Sequence, residues 1–356
     1  MRSTEDAPGR VLVLSVAGLG DFVLGTPALR AIRHSFPEAH LCLLTIPEVK
    51  PLADRCPYLN MVRTMDLRRS RSAAWWSLGE RRREMRQLTR ELRAAHFDLA
   101  VNLYGAGTWL GGLRMALFLW AIGAARTVGR YSEGRGLGYD LKSSNEQHEV
   151  EAQLEVARLI GAVPTNEFPE LWVTAEDRAA CAVLLRQLEI GSSERFACLH
   201  VGSARPEACW PLERFASVGQ RLAKAGARTI VIGTAGDQAR CATLAQAIPN
   251  AVSAAGMTSL PLLAALLERT TLLVTNDSGP MHMAAALGVP LVVPFGPADP
   301  ARFGPRGRAT HLIFSAAGRT DDSVWCDSIP TEEIAAAAVR LFSESQAPSR
   351  ESGRHG

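Results

Sequence analysis

The sequence lacks a long apolar run: its most hydrophobic stretch, Met115 to Ala125, falls well short of the ~18 residues of a membrane span. Nothing at its start reads as a secretory leader, because MRSTEDAPGR gives way to a short strand-like run and then to glycines. No CxxC pair occurs, and the seven cysteines (Cys42, Cys56, Cys181, Cys198, Cys209, Cys241 and Cys326) are scattered and odd in number. Neither a disulfide framework nor a zinc site is therefore indicated, no bound metal is expected, and most of these thiols should be small buried hydrophobes. Strong charge imbalance is missing as well: 39 basic residues against 36 acidic ones leave +3, too little to imply nucleic acid as the main partner. With 47% hydrophobic and 21% charged residues, the composition excludes a disordered chain. The expectation is a soluble, cytoplasmic protein, and 356 residues suggest about two domains.

Strand and helix signals alternate along the chain. RVLVLSV (Arg10 to Val16) is the continuous apolar run of a buried parallel strand. A glycine turn, a helix to about His34 and a second run, Leu41 to Thr45, complete a strand–helix–strand unit. DLAVNL (Asp98 to Leu103) reads as a further strand, Arg130 to Asn145 as a loop, and Glu149 to Ile160 as an amphipathic helix. Gly161 to Pro169 is polar with two prolines and reads as a linker. Strands at Phe196 to Val201, Thr229 to Gly233, Leu272 to Thr275 and Pro290 to Pro294 then alternate with helices, the last spanning Thr331 to Phe342. This pattern predicts two Rossmann-like, doubly wound α/β domains, residues 1–165 and 166–345, facing across a cleft, with a disordered polar tail at 346–356.

The segment TLLVTNDSGPMHMAAALGVPLVV carries the most chemistry. A buried strand ends at Asn276-Asp277, Ser278 is placed to cap, and Pro280 suits the first helical turn. Gly279 lets another group approach the backbone, and Gly288 with Pro290 ends the helix. A helix N-terminus at the carboxyl end of a strand presents free amides and partial positive charge, which suits a phosphate or pyrophosphate. His282, in the first turn, could add a donor. The bland alternative is a well-capped strand-to-helix turn.

A second glycine turn, VAGLGDFVLG, holds Gly18, Gly20 and Asp21. Its spacing is not the dinucleotide-binding GxGxxG, and Asp21 would repel a pyrophosphate there, which counts against a Rossmann oxidoreductase. Asp21 at a helix start is either a cap or a base that accepts a proton from an attacking hydroxyl. From Arg63 to Arg93 there are ten arginines and four acids, with Trp75 and Trp76 between them. That is either a solvated helical face or a patch for a phosphorylated or membrane-surface acceptor.

The stretches VLSVAGLGDFVLGTPALRAIRHSFPEA, WPLERFASVGQRL and TNDSGPMHMAAALGVPLVVPFGPADPARFGP together resemble glycosyltransferase family 9, the ADP-heptose:lipopolysaccharide heptosyltransferases. The resemblance runs from Arg10 to about Pro305 and implies the glycosyltransferase B architecture. It further implies inverting, metal-independent transfer, without a cofactor, from a nucleotide sugar held mainly by the C-terminal domain to an acceptor on the N-terminal one. Asp21 matches the family's general base. Ser203, Arg205, Asp237, Asp277, Ser278, Gly279 and His282 match donor contacts, with Asp237 toward the ribose. Gly18, Gly20 and His148 fall on the acceptor side, and Glu151 completes an HxxE-like pattern. Ala208 and Cys209 depart from the family, which commonly has basic residues there, and Arg205 could supply the missing charge. Ala316 to Val324 replaces a family cysteine-containing stretch in a region that varies with acceptor. The resemblance thus implies heptose transfer from ADP-heptose to a lipopolysaccharide inner core, at the inner membrane surface through the Arg63 to Arg93 region. The alternatives are a soluble secondary-metabolite acceptor, another nucleotide sugar, or a degenerate, non-catalytic sugar-nucleotide-binding protein.

Overall fold

The computed structural model describes residues 7–66, 77–106, 108–131, 141–142, 147–203, 205, 208–315 and 325–345. The chain divides into two compact units, Met1–Trp172 and Val173–Gly356. The expected disorder of 346–356, the pair Trp75 and Trp76, and the stretch Ala316 to Val324 lie outside the described residues.

The first unit comprises β1 (Arg10–Ser15), α1 (Leu19–Ser35), β2 (His40–Thr45), α2 (Lys50–Ala53), β3 (Met61–Thr64), α3 (Ser77–Ala94), β4 (Leu99–Ala106), α4 (Trp109–Ile122), β5 (Arg126–Tyr131), β6 (Leu141–Lys142) and α5 (Glu149–Leu159). Its strands lie in the order β3-β2-β1-β4-β5-β6, all parallel. β1 is central, and Val11 to Leu14 are fully buried, as a strand covered on both faces requires. The predicted loop at Arg130 to Asn145 is corrected in part: Arg130 and Tyr131 end β5 and pair with Leu141 and Lys142 of β6. RTVGRY lacks an apolar run, so it does not read as a strand. Pairing with β4 and a buried ion pair between Arg130 and Glu149 of α5 hold it in the sheet.

The boundary falls after Trp172, whereas the composition break placed it after residue 165. Arg30 of α1, itself buried, accounts for the difference. Its guanidinium donates to Glu170 Oε1 at 2.6 Å, Asn166 Oδ1 at 2.6 Å and the Phe168 carbonyl at 3.3 Å. Tyr58 donates to the same Glu170 oxygen at 2.8 Å and meets the Trp172 ring edge-on. The polar linker is thereby fastened to the first unit.

The second unit comprises α6 (Ala175–Gln187), β7 (Phe196–His200), α7 (Leu212–Lys224), β8 (Arg228–Ile232), α8 (Gln238–Gln246), β9 (Ala251–Ser253), α9 (Leu260–Arg269), β10 (Leu272–Thr275), α10 (Gly279–Ala286), β11 (Leu291–Phe295), α11 (Pro300–Phe303), β12 (His311–Ser315) and α12 (Thr331–Glu344). Its sheet runs β12-β11-β10-β7-β8-β9, again parallel. Trp210 and Phe215 meet edge-to-face at 5.2 Å inside a core that also holds Trp325 and Phe342. Five of the seven cysteines are buried, while Cys209 and Cys326 are half-buried.

In the second sheet the chain leaves β7 toward β8 on one side, while β10 and β11 continue on the other. The β7–β10 junction is therefore a topological switch point, where the loops after two adjacent strands diverge at their carboxyl ends and open a crevice.

Candidate active site

The residues that the sequence singled out in the second unit converge on that switch point. β10 ends at Thr275, and Asn276 and Asp277 carry the chain to Ser278, the residue before α10. Asn276 is fully buried and bridges the crevice. Its Oδ1 accepts from the Trp210 amide at 3.0 Å, and its Nδ2 donates to the Val201 carbonyl at 3.0 Å. One side chain thus fixes the loop after β7 against the end of β10. Ser203 continues the stitching, its hydroxyl donating to the Asp277 carbonyl at 3.4 Å and accepting from the Arg205 amide at 3.2 Å.

Arg205 then reaches back across the crevice, with Nη2 at 3.0 Å from Asp277 Oδ2. Burial pushes the Asp277 carboxyl above its ordinary range, and Arg205 pulls in the opposite direction. The departure at Ala208 has a packing explanation: Ala208 is fully buried, and a Cβ on Gly296 would stand 3.4 Å from its Cα. The cation in this loop is Arg205, three residues earlier.

Ser278 occupies the cap position of α10 with extended backbone, yet its hydroxyl makes no cap bond to the helix. This corrects the expected capping role. The hydroxyl instead donates to the Asn276 carbonyl at 3.1 Å and lies 3.2 Å from His200 Nδ1. Thr275 Oγ1 makes the same pair of contacts, at 3.0 and 3.2 Å. If both hydroxyl protons go to the carbonyl, His200 carries its proton on Nδ1 and leaves Nε2 as an acceptor. Burial lowers the His200 pKa to about 4, partly opposed by Asp237, so the ring is neutral at pH 7. The leading amides of α10 at this end lack intrahelical acceptors. His282 sits in its first turn, buried.

Asp237 enters from the neighbouring strand, β8. Its Oδ2 accepts from the Thr234 amide at 2.9 Å and hydroxyl at 2.6 Å. Burial raises this carboxyl, but the Thr234 bonds, His200 and Arg240 outweigh it and hold it below its usual range. Two glycines make room for it. A Cβ on Gly202 would lie 3.3 Å from Asp237 Oδ2 and 3.4 Å from His200 Nε2, and one on Gly233 would lie 2.9 Å from Asp237 Cβ.

The first unit has its own cluster at the carboxyl end of β1. Gly18 precedes α1 in extended conformation, and Gly20 and Asp21 lie in its first turn. Asp21 is half-buried, and the helix N-terminus favours its carboxylate. α5 packs alongside, with Gln153 Nε2 3.4 Å from the Asp21 carbonyl. His148 is the cap residue of α5, its Nδ1 accepting from the Val150 amide at 3.2 Å. Glu151 follows in the same turn. Among the described residues no group of three His, Cys, Asp or Glu side chains could hold a metal ion.

The sequence matches the family described as Glycosyltransferase family 9 (heptosyltransferase) over residues 85–326. The chain belongs to glycosyltransferase family 9. This glycosyltransferase is 24% identical, over 93% of its length and 97% of the relative's, to lipopolysaccharide heptosyltransferase 3 of Escherichia coli K12. A family 9 glycosyltransferase from Veillonella parvula has the same fold, with a TM-score of 0.80 at 24% identity, over 95% of this chain and 98% of that one. So has the E. coli heptosyltransferase solved with ADP-2-deoxy-2-fluoro heptose, with a TM-score of 0.70 at 21% identity, over 94% and 99%. The architecture is the glycosyltransferase B class of these neighbours.

Two members of the second-unit cluster escaped the reading of the glycosyltransferase's sequence. His200 ends a buried apolar run, where a histidine reads as structural, and the Gly-Ser that follows was its only signal. Asn276 reads as a strand end, because nothing local shows that its amide spans 66 residues to the Trp210 backbone.

Proposed function

We propose that this glycosyltransferase transfers heptose from ADP-heptose, with inversion and without a metal, to a hydroxyl of the lipopolysaccharide inner core. The observation that carries this reading is the switch-point cluster, where Asn276 and Ser203 stitch the loop that carries Arg205 to Asp277 at the α10 N-terminus, with Asp237, held by Thr234, beside Gly202. The leading amides of α10 at Ser278 and Gly279, with Arg205 and His282, face the donor diphosphate. Asp237 accepts from ribose hydroxyls. Asp277 is an acceptor-only carboxylate, so it suits the hydroxyls of the sugar better than the phosphates.

In the reaction the acceptor oxygen attacks the anomeric carbon as the bond from that carbon to the diphosphate oxygen breaks. Asp21 takes the acceptor proton, with Gly18, Gly20 and His148 shaping the acceptor side. The electron pair of the broken bond leaves with ADP, and the configuration at the carbon inverts. Preorganised donors on the departing charge are worth about 3–4 kcal/mol each in barrier height. Support for heptose and lipopolysaccharide comes from the names of the E. coli relatives. The test is release of nucleoside diphosphate in EDTA from ADP-heptose and, separately, from UDP- and GDP-sugars, with inner-core and soluble acceptors. Acceptor-dependent ADP release upholds the reading. Binding of ADP-heptose without turnover on any acceptor would make this chain a sugar-nucleotide-binding protein.

A further inference from the structure

Five of the seven thiols are buried as small hydrophobes, whereas Cys209 and Cys326 are half-buried. These two meet although 117 residues separate them. Cys326 belongs to the short turn Trp325–Ser328 that precedes α12, and its thiol donates to the Cys209 carbonyl at 4.0 Å. Core packing fixes the meeting: a Cβ on Gly296 would stand 3.3 Å from the Trp325 ring and 3.4 Å from the Ala208 Cα. Arg214 of α7 clamps the turn, donating to the Cys326 carbonyl and to the Asp327 carboxylate.

The contacts continue into the donor loop. The Cys209 thiol lies 3.9 Å from the Arg205 carbonyl, which also accepts from the Ala208 amide at 3.0 Å. Cys326, Cys209 and Arg205 thus form a chain of sulfur-to-carbonyl contacts that ends on the cation facing Asp277. Cys209 also adjoins Trp210, whose amide Asn276 holds. A change at the Cys209 sulfur therefore reaches the backbone of Arg205 on one side and the Asn276 stitch on the other.

We propose that Cys209 and Cys326 are an oxidant-sensitive pair whose disulfide draws the Cys209 side chain off the Arg205 carbonyl and weakens donor binding. The oxidant is a peroxide. The Cys209 sulfur attacks a peroxide oxygen, the O–O bond breaks, water leaves and a sulfenic acid remains. The Cys326 sulfur then attacks that sulfur, the S–O bond breaks, and a second water departs with the Cys326 proton. Both thiols are oxidised by one electron each, and one hydrogen peroxide is reduced to two waters. Burial pushes the Cys326 thiol up while Arg214 opposes it, so Cys209 meets the peroxide first and Arg214 eases the later loss of the Cys326 proton. The effect on donor binding rests on the reading of Arg205 as a diphosphate contact; the disulfide itself does not.

The test is treatment of the full-length protein with hydrogen peroxide and then dithiothreitol, followed by peptide mass spectrometry and calorimetric titration with ADP. Peroxide should join the Cys209 and Cys326 peptides and weaken ADP binding about tenfold, and dithiothreitol should reverse both. Cys209→Ser should bind ADP within about twofold of the reduced wild type and keep that affinity through peroxide. Cys326→Ser should stop at a Cys209 sulfenic acid that dimedone traps. Both variants should keep wild-type circular dichroism. Absence of the cross-link in the oxidised wild type overturns the proposal. A cross-link that leaves ADP affinity unchanged overturns its coupling to the donor loop, and Arg205→Gln, measured beside it, shows whether the donor reading falls as well.

Discussion

Replacing Arg205 with glutamine separates an anion-binding site from a merely structural ion pair. The guanidinium is half exposed while its partner Asp277 is 10% exposed, at 3.0 Å. Solvent screening limits such a pair to roughly 0.5 kcal/mol of stability. A charge-assisted bond from Arg205 to a diphosphate is worth about 1.5–3 kcal/mol. Arg205→Gln should therefore weaken ADP binding about 10- to 150-fold with little change in folding at low pH. Arg205→Lys should fall between, keeping the charge and losing the planar fork. The variant also removes the cation that opposes burial at Asp277, whose carboxyl already sits above its ordinary value of 3.8. A raised carboxyl binds its proton more readily in the folded state, so its contribution is present below the unfolded pKa and lost as pH rises through the folded one. The variant's stability deficit should thus grow as pH climbs from the carboxylate range and then level off. Calorimetric titration with ADP and urea unfolding across that range measure both effects. ADP affinity within about twofold of wild type would refute the reasoning.

Three further outcomes follow from the same geometry. His200, held at about 4 by burial against 6.5 unfolded, refuses a proton that the unfolded chain accepts. The stability it confers, up to about 3 kcal/mol, is present above pH 6.5 and lost as pH falls toward 4. Urea unfolding of His200→Gln should show a flatter dependence over that window, and an identical slope would remove His200 from the account. Gly233→Ala puts a Cβ 2.9 Å from Asp237 Cβ and Cys241 Sγ. It should cost about 1–3 kcal/mol, read as a Tm drop of about 2–4 °C per kcal/mol, and weaken donor binding by displacing Asp237. Asn276→Ala strands the Trp210 amide and the Val201 carbonyl. It should destabilise by about 1–3 kcal/mol and lower ADP affinity through the loop that carries Arg205, whereas a stability loss with unchanged affinity would show that loop to be irrelevant.

The strands most legible in the sequence are those buried almost throughout. RVLVLS, FACLH, LLVT and LVVPF are uninterrupted apolar runs because both faces of a central parallel strand are covered. Those that were not read are short or at an edge. β9 (AVS) and β12 (HLIFS) are only partly buried, so no apolar pattern sets them off. β5 depends on Glu149 finding Arg130, a contact between elements that no local pattern announces. α6 went unread although Thr174 and Asp177 form a capping box at its start, a signal masked by its nearness to the linker. In the site, the Asp277 to His282 turn was legible because its glycine, proline and caps follow local backbone rules. Its hydroxyl chemistry was not: whether Ser278 caps α10 or faces His200 is decided by a strand 78 residues away.

The most direct test of the proposed transfer is the acceptor-dependent release of ADP from ADP-heptose by Asp21→Asn, with ADP affinity measured on the same protein. If Asp21 is the base, the rate should fall about 10²- to 10⁴-fold while ADP affinity stays within about twofold, because the proposed donor contacts lie in the other unit. Release at the wild-type rate would contradict the account.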